Sequence, residues 1–287
     1  MSNVKELFNG DGCKESLPLL QIAGEIAESI GIEAYVVGGF VRDLLMGKPL
    51  NDIDIMVVGD GINFAKHVSK ALGIHKVVPF EKFGTALIPS QPIQIEIASA
   101  RTESYDNHSR KPKQVIYTDL KGDLVRRDFT INAMAVDIRP NHFGNLYDPF
   151  EGIQDLQAKR LITPLDPNET FSEDPLRMMR GAYFASKLSF EIDDECLNSI
   201  KRQVKRIDIV SWERKTTELE KILKTPKPSI GLNILQETGL MKFVFPEIDN
   251  MVGLDQTSEW HHKDIYTHTM QVVDNAANLT NKMEIRS

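Results

Sequence analysis

The 287-residue chain lacks several features that would define its class. Its two cysteines, Cys13 and Cys196, form neither a disulfide framework nor a CxxC motif, which favours a reduced, cytoplasmic setting. No apolar run approaches about 18 residues, so the sequence predicts no membrane span. The first residues, MSNVKELFNGDGCKES, lack the basic and then apolar pattern of a signal peptide.

An excess of positive charge is also missing. The formal net charge is -7, which argues weakly against a nucleic-acid partner, because phosphate binding requires lysine and arginine. Basic residues do cluster at 124–128, 201–206 and 224–228, although such runs are more typical of solvated helix faces or loops. The composition, 41% hydrophobic and 26% charged, is that of a globular protein long enough for two domains.

The first part of the chain, up to about residue 150, mixes strands with helices. Helical spacing covers 17–30, ended by Gly31, and 62–73. The short β-like runs are 34–38, 53–58, 75–80, 85–89 and 93–98. Residues 101–114 show no apolar periodicity and predict a mobile surface loop. This order predicts one α/β-type layer.

The second part, from residue 151, is predicted to be all-α. Helical patterns cover 173–190, 193–207, 212–225 and 229–244, and a last amphipathic helix near the C-terminus is predicted to have almost no partner. Pro175 suits the first turn of the helix over 173–190, and Asp174 is the candidate N-cap.

Two carboxylates begin the strand IDIMVV. On a strand, Asp52 and Asp54 face the same side, whereas Ile53 and Ile55 face a core. Paired carboxylates on a rigid strand suit Mg²⁺, which prefers oxygen ligands and often takes only one or two carboxylates besides phosphate oxygens. The alternative is an exposed polar start to the strand.

Two glycines precede these carboxylates at a strand-to-helix turn. Gly38 and Gly39 would let the backbone approach phosphates, the helix start adds partial positive charge, and Arg42 in the first turn can bind a triphosphate oxygen. The turn matches neither GxGxxG nor the Walker A pattern, so neither a dinucleotide fold nor a P-loop is indicated.

Glu96 interrupts an apolar alternation in IQIEIA and therefore requires a partner. If its strand lies beside the strand of Asp54, Glu96 completes a three-carboxylate site able to hold two metals about 4 Å apart for in-line phosphoryl transfer. The alternative is an outward-facing glutamate on a one-sided sheet.

Four segments together carry a family resemblance. GGFVRDLLMGKPLNDID (38–54) resembles the nucleotidyltransferase signature of the DNA polymerase beta superfamily, in the form of the class II branch, the tRNA CCA-adding enzymes and bacterial poly(A) polymerases. RRDFTINAMA (126–135) and EDPLRMMR (173–180) are similar to the second and third hallmarks of that branch, and WERKTTELEKIL (212–223) to its neck segment.

The resemblance implies an α+β fold. A polymerase-beta-like nucleotidyltransferase head with a mixed sheet would occupy residues 1–150, and an all-α neck with a nucleobase-selecting helix residues 151–245. Residues 246–287 would begin an incomplete HD-like or body region.

The resemblance also implies site roles. Asp52, Asp54 and, as the weaker third candidate, Glu96 would hold catalytic Mg²⁺ ions, one activating the tRNA 3′-hydroxyl and the other stabilising the departing pyrophosphate. Nucleotide-binding residues would be Gly38, Gly39, Arg42, Asp43, Arg127, Asp128, Asn132, Asp174, Arg177 and Arg180. Among these, Arg127, Asp128 and Asn132 would hold the phosphate and ribose end.

Asp174 and Arg177 share one helix face at i,i+3 spacing. In the family this pair reads the Watson–Crick edge of the incoming base: the carboxylate accepts from the exocyclic amino group that C and A share, and the guanidinium donates to the adjacent acceptor. The spacing thus rationalises selection of CTP and ATP. The alternative is an N-cap aspartate with a surface ion pair.

Two departures from the family pattern stand out. Tyr183 occupies a position where the arginine series often continues. HHKDIYTHTM (261–270) resembles the start of an HD domain, but the later His-Asp doublet is missing, so no metal is assigned to His261, His262 or His268. We expect either a shortened form of a longer protein or a natural protein lacking the rest of its body.

The resemblance implies a template-independent RNA nucleotidyltransferase that adds CCA to tRNA 3′ ends from CTP and ATP. CC-adding, A-adding and poly(A) enzymes remain alternatives, as does a non-catalytic RNA-binding module on the same fold; an HD-type phosphohydrolase is disfavoured by the missing doublet. Residues 101–114 are where we expect the addition patterns to differ.

Overall fold

The computed structural model describes residues 2–50, 52–91, 93–106, 109–254 and 264–282. They form two compact units, the first comprising residues 1–104 with 112–156 and the second residues 105–111 with 157–287. A separate region beginning at residue 246 stays a prediction.

The first unit is built on a seven-stranded sheet. Its strands are β1 (Glu33–Val37), β2 (Asp52–Val58), β3 (Val78–Phe80), β4 (Thr85–Ile88), β5 (Gln94–Ser99), β8 (Ala135–Asp137) and β9 (Leu146–Tyr147), in the spatial order β3-β4-β5-β2-β1-β8-β9. Only β2 and β5 pair in parallel; the other neighbours are antiparallel. The predicted mixed sheet is therefore confirmed, as are its first five strands.

Helices cover one face of this sheet. They include α1 (Ser16–Ile30), α2 (Gly39–Leu45) and α3 (Gly61–Ala71), while α4 (Leu120–Val125) and α5 (Gly152–Ala158) follow later in the chain. Gly31 ends α1 in the left-handed conformation, as predicted. The apolar side chains of β2 and β5 pack in the main core with α1 and α3, and each fully buried isoleucine contributes about 1.5–3 kcal/mol.

The alternation of β2 and β5 leaves their polar side chains on the opposite face. A smaller apolar cluster lies on that face, formed by Tyr35, Val37, Met56 and Leu124 among others. The main core and its helices thus lie on one side of the sheet. The other side carries the polar residues that begin β2 and the smaller cluster with Leu124 of α4.

The prediction of a loop over 101–114 is wrong. Strands β6 (Arg101–Asp106) and β7 (Ser109–Tyr117) form a two-stranded sheet of their own. Residues 107 and 108 lie outside the described part of the chain. The pairing is made by backbone groups, so polar residues without apolar alternation can form it.

The second unit is helical. Its helices are α6 (Pro167–Glu173), α7 (Leu176–Leu188), α8 (Asp194–Gln203), α9 (Trp212–Leu223), α10 (Pro228–Glu237), α11 (Met241–Val244), α12 (Pro246–Asp249) and α13 (Ile265–Lys282). Helix α7 packs against α9 and α10, α6 against α8, and α10 against α13. Two-residue strands β10 (Arg160–Leu161) and β11 (Glu191–Ile192) also pair in parallel, a small departure from an all-α region.

Two predicted helices are divided. The pattern over 173–190 spans the end of α6 and the whole of α7. Asp174 lies between the two helices with an extended backbone, so the prediction that it shares a helix face with Arg177 is wrong. The pattern over 229–244 breaks into α10 and α11 at Gly239, which has a left-handed φ of 79°. Apolar periodicity continues across both breaks, which is why the sequence predicted single helices.

Helix α13 does have a partner, contrary to the prediction. The carboxylate of Asp274 accepts from the backbone N–H of Ser229 at 2.9 Å and from its hydroxyl at 2.7 Å, at the start of α10. The hydroxyl of Tyr266 donates to Asn233 at 3.0 Å, and Tyr266 and Met270 are buried.

In the described part of the chain, no helix is long and apolar enough to cross a membrane.

Candidate active site

The parallel register of β2 and β5 brings two predicted metal ligands side by side. Asp54 lies opposite Glu96, and Asp52 opposite Gln94. Directly opposed residues point to the same face with Cβ atoms about 5 Å apart. Asp52 and Glu96 are exposed, whereas Asp54 is partly buried between them. The strand of Glu96 therefore lies beside the strand of Asp54, which is the condition for a three-carboxylate site.

The pKa of Asp54 reports this crowding. Burial, then the charge of Glu96 and, more weakly, that of Asp52 raise the pKa of Asp54 to about 6, against the opposing influence of Arg127. The site accordingly holds more negative charge than its own side chains neutralise. A cation would relieve this cost.

The donor set fits Mg²⁺ with two protein carboxylates rather than three. Among the described residues, no three acidic, histidine or cysteine side chains are spaced to hold an ion together. Mg²⁺ keeps several waters and completes its six positions with substrate phosphates, so two carboxylates suffice. The assignment of Asp52, Asp54 and Glu96 as metal ligands stays a prediction.

The glycine turn adjoins the carboxylates through one arginine. Gly38 has a positive φ of 68°, and a Cβ at this position would lie 2.7 Å from Nη1 of Arg127. Only glycine thus permits both the turn and the approach of the guanidinium. Arg127 therefore lies beside the glycine turn, and its charge lowers the pKa of Asp54.

Asp123, which sequence reasoning did not identify, holds Arg127 in place. Its carboxylate accepts from Nη2 of Arg127 at 2.9 Å and from Nη2 of Arg126 at 3.1 Å. Burial alone would raise the pKa of Asp123, but the two arginines lower it below its ordinary value. The signal was present in LKGDLVRRD, where the aspartate precedes both arginines at i,i+3 and i,i+4 spacing.

Arg42 ties α2 to the segment 126–135. It is buried, donates from Nε and Nη2 to both oxygens of Asp43 at 2.9 Å, and donates from Nη1 to Asn132 at 2.7 Å. Asn132 in turn donates to Asp128 at 3.0 Å. The structure therefore brings these four predicted residues into one network, in which only Asp43 is partly exposed. Their contact with a nucleotide stays a prediction.

Asp174 caps helix α7. Its Oδ1 accepts from the backbone N–H of Leu176 at 3.2 Å, which confirms the predicted capping role. Its Oδ2 lies 3.8 Å from Nη2 of Arg214 on α9. This carboxylate is held at one end of α7 by the helix itself and by a neighbouring cation.

Arg177 and Arg180 follow along α7. Arg177 is buried, and its Nη1 donates to the Thr170 carbonyl at 3.2 Å and to Glu173 at 3.3 Å. Arg180 lies over the Phe184 ring, 5.1 Å from its centroid, and 4.0 Å from Glu218. At the next turn, Tyr183 contacts Phe184 rather than supplying a third arginine.

Glu218 is a second residue that the sequence reading did not identify. It is 3% exposed, accepts from Lys221 at 2.7 Å, and its other oxygen has no hydrogen-bond partner. This buried carboxylate balances the charge of Arg180, which lies 4.0 Å away. Of the three histidines near the C-terminus, His268 lies on α13, and His261 and His262 lie outside the described residues.

Two family models match this chain. One, the poly A polymerase head domain, covers residues 34–162 and therefore the glycine turn, the carboxylates and the Arg127 network. The other is described as a probable RNA and SrmB-binding site of polymerase A and covers residues 189–252 of the second unit.

Similar proteins share these regions. An A-adding tRNA nucleotidyltransferase of Geobacter sulfurreducens is 37% identical over 248 residues, 85% of this chain and 28% of that protein. A CCA-adding enzyme of Limosilactobacillus reuteri is 37% identical over 239 residues, 82% and 57% respectively. The Thermotoga maritima CCA-adding enzyme, solved in complex with tRNA, superposes with a TM-score of 0.75 at 26% identity over 98% of this chain and 75% of its own. The chain thus spans less than two thirds of each of these two curated relatives.

Proposed function

The chain belongs to the class II family of tRNA nucleotidyltransferases and bacterial poly(A) polymerases, and from this premise we propose that it transfers nucleotides to the 3′ end of tRNA. The observation that carries the proposal is the register of β2 and β5, which sets Asp54 beside Glu96 next to Arg127. Chemistry on a triphosphate requires this combination of crowded carboxylates and an adjacent cation.

Asp52 and Asp54 would hold Mg²⁺, with Glu96 as a weaker contributor. When bound there, the metal supplies Lewis-acid neutralisation of the reacting phosphate oxygens. Arg127, kept in position by Asp123, would contact the triphosphate, and the absence of a side chain at Gly38 leaves room for its guanidinium. The Arg42–Asn132–Asp128 network would keep this pocket in shape around the ribose end.

Base selection is assigned to α7. Asp174 would accept from the exocyclic amino group that cytosine and adenine share, and Arg177 would donate to the neighbouring acceptor. Support comes from the fixed geometry of Asp174, whose Oδ1 already accepts from the helix N–H. G and U present a carbonyl at the corresponding position and would be rejected.

The added sequence is proposed to be CCA, from CTP and ATP. Relatives named CCA-adding and A-adding are similar to this chain to the same degree, 37% in both cases cited, so A-only addition is the second candidate. CC-only addition, poly(A) synthesis and a non-catalytic RNA-binding module are the remaining alternatives.

The test uses a tRNA transcript that ends before its CCA, with Mg²⁺ and labelled CTP, ATP or both. We expect two labelled C additions with CTP alone and a further A when ATP is present, resolved by length on a gel. Addition of A only to a transcript already ending in CC would favour an A-adding enzyme, and long ladders a poly(A) polymerase.

The matched negative control is Asp54→Ala. Incorporation by this variant equal to that of the parent protein would contradict the carboxylate assignment. Absence of incorporation together with absence of CTP binding by calorimetry would contradict the proposed activity.

A further inference from the structure

Exposed aromatic side chains are concentrated at one edge of the first unit. Among the described residues, four aromatic side chains are exposed, and three of them lie here: Phe80 (47%), Phe83 (39%) and Tyr117 (66%). We call this the aromatic edge, defined by Phe80, Lys82, Phe83, Arg101, Ile116 and Tyr117. Aromatic rings usually contribute to cores, so such a concentration on a surface indicates an interaction site.

The aromatic edge begins on the carboxylate face of the sheet. Phe80 pairs with Thr85, and Thr85 pairs with Ala98. Ala98 lies two residues after Glu96 on β5, and paired residues share a face, so Phe80 points to the side that carries Glu96 and Asp54. From strand spacing and rise, Phe80 lies roughly 16 Å from Asp54.

Two cations lie over the Phe83 ring. The guanidinium of Arg101 donates to the Phe83 carbonyl and, at 3.3 Å, to the Thr85 hydroxyl, and its carbon lies 5.6 Å from the Phe83 ring centroid. Lys82 approaches the same ring to 5.9 Å. Phe83 is therefore presented to solvent by a fixed cation–π arrangement rather than by a freely rotating side chain.

Tyr117 is placed by a glycine. Gly84 has a φ of 58°, and a Cβ there would lie 3.4 Å from the Tyr117 ring and 3.3 Å from the Ser99 hydroxyl. The ring therefore lies against the backbone that follows Phe83. Glu81 is the acidic side chain of the same short segment, and Lys82 together with Arg101 of β6 outnumbers it.

We propose that the aromatic edge binds an unpaired nucleotide of the RNA acceptor end, upstream of the reacting 3′-hydroxyl. This inference rests on the proposed function. Exposed rings stack on unpaired bases, and neighbouring lysine and arginine contact the phosphates, which is the recognition chemistry of single-stranded RNA. The shared face with the carboxylates places this contact along the path of a strand whose end lies at Asp54.

A second protein strand fits this edge less well than RNA. Strand β3 is the outermost strand of the sheet, but Pro79 at its centre has no N–H to donate to a partner strand. Proline at an edge strand protects against pairing with another chain. The exposed rings are therefore better explained by stacking than by extension of the sheet.

The experiment compares two labelled RNAs that share one stem, the first with a short unpaired 3′ overhang and the second with a blunt end. Binding is measured by fluorescence anisotropy for the full chain and for Phe83→Ala combined with Tyr117→Ala. We expect the double variant to raise Kd for the overhang RNA roughly tenfold or more, because stacking on each base contributes at this level. Kd for the blunt RNA and for CTP should not change.

Three further variants sharpen the result. Ile30→Ala removes an equally exposed apolar side chain elsewhere in the first unit and should change neither Kd. Phe83→Trp keeps a stacking ring and should retain binding. Lys82→Gln should reduce the slope of log K against log salt by about one for the overhang RNA.

The proposal is overturned if the double variant binds the overhang RNA as the parent does, or loses both RNAs equally. A concentration-dependent dimer that Phe80→Ala abolishes would also overturn it, since a second copy would then occupy the edge. Failure of the parent protein to incorporate nucleotides would instead contradict the proposed function, because RNA binding is measured here without turnover.

Discussion

The carboxylates of β2 and β5 and the charged residues of α7 differ in how their charges are balanced. At the sheet, Asp54 lies beside Glu96, and burial with like charge raises its pKa to about 6. Just before α7, Asp174 caps the helix and approaches Arg214, and on α7 Arg180 faces Glu218. The carboxylates of the sheet repel one another until a cation binds, whereas the charged side chains at α7 are balanced by opposite charges within the protein.

This difference separates two requirements of a proposed nucleotidyltransferase. Chemistry common to every nucleotide requires charge that is poised but unneutralised, which costs stability. Selection among bases requires side chains fixed before the base arrives, because a mobile side chain would lose entropy on binding. The comparison therefore predicts that substitutions at the sheet affect all nucleotides alike, and that substitutions on α7 affect the choice between them.

The largest expected effect is that of Asp54→Ala on activity. We expect kcat/KM for CTP and for ATP to fall together by at least about 10³-fold, because metal-held charge stabilises the transition state by several kcal/mol. Steady-state incorporation into tRNA measures both. Asp60→Ala, which removes an exposed N-cap in the same unit, is the matched control and should leave activity intact. A loss of kcat/KM confined to either CTP or ATP would contradict the expectation that substitutions at the sheet affect all nucleotides alike.

Asp123→Asn should lower the stability of the folded protein. Removing one partner of a buried ion pair leaves Arg126 and Arg127 without their counter-charge, and we expect the free energy of unfolding to fall by about 3 kcal/mol at pH 7. The pKa of Asp123 is lowered in the folded state, so its stabilisation is present above the ordinary carboxyl pKa and is lost as the pH falls through the folded value.

Urea unfolding of the parent and Asp123→Asn proteins at several pH values measures this difference. The gap between the two should narrow below pH 4, since protonated Asp123 no longer pairs with either arginine. A gap that stays constant down to acid pH would show that the ion pairs contribute little.

Asp174→Ala should alter the choice of base. We expect kcat/KM for CTP and ATP to fall about tenfold to 100-fold while that for UTP changes little, because only C and A offer an amino group to this carboxylate. Competition between labelled CTP and UTP measures the ratio. The matched control is Asp193→Ala, because Oδ1 of Asp193 caps α8 by accepting from the backbone N–H of Glu195 at 3.0 Å. This variant should lower stability by a similar amount without changing the ratio of CTP to UTP incorporation.

The smallest expected effect is a gain of stability in Asp54→Asn without metal. Because the folded pKa of Asp54 is about 6 and its ordinary value is 3.8, ionisation costs stability, and this cost is complete above pH 6 and absent below pH 3.8. We expect the variant to be more stable than the parent by about 1–2 kcal/mol at pH 8 in EDTA. Excess Mg²⁺ should remove or reverse the difference; an unchanged difference would contradict metal binding at Asp54.

Local patterns predicted much of the first unit. The same-side placement of Asp52 and Asp54 follows from strand alternation, and five strands appear where apolar runs predicted them. The sequence could not predict that Asp54 lies opposite Glu96, because no local pattern shows which strands are neighbours in the sheet. The position of Asp174 followed from the capping preference of aspartate.

Other features depend on contacts that local patterns do not contain. The paired strands β6 and β7 lack apolar alternation, and the break at Gly239 interrupts an unbroken helical pattern. The partner of α13 was missed because Asp274 meets Ser229 across 45 residues. Asp123 and Glu218 read as ordinary surface acids until their burial is known.

The parallel pairing of β2 with β5 also has a consequence for folding kinetics. These segments are separated by some 40 residues, so they meet only after a long loop closes. Because the repulsion between Asp54 and Glu96 arises at this closure, we expect it to raise the barrier of a non-local step. Refolding in the presence of Mg²⁺, or of Asp54→Asn without it, should then be faster than refolding of the parent chain in EDTA.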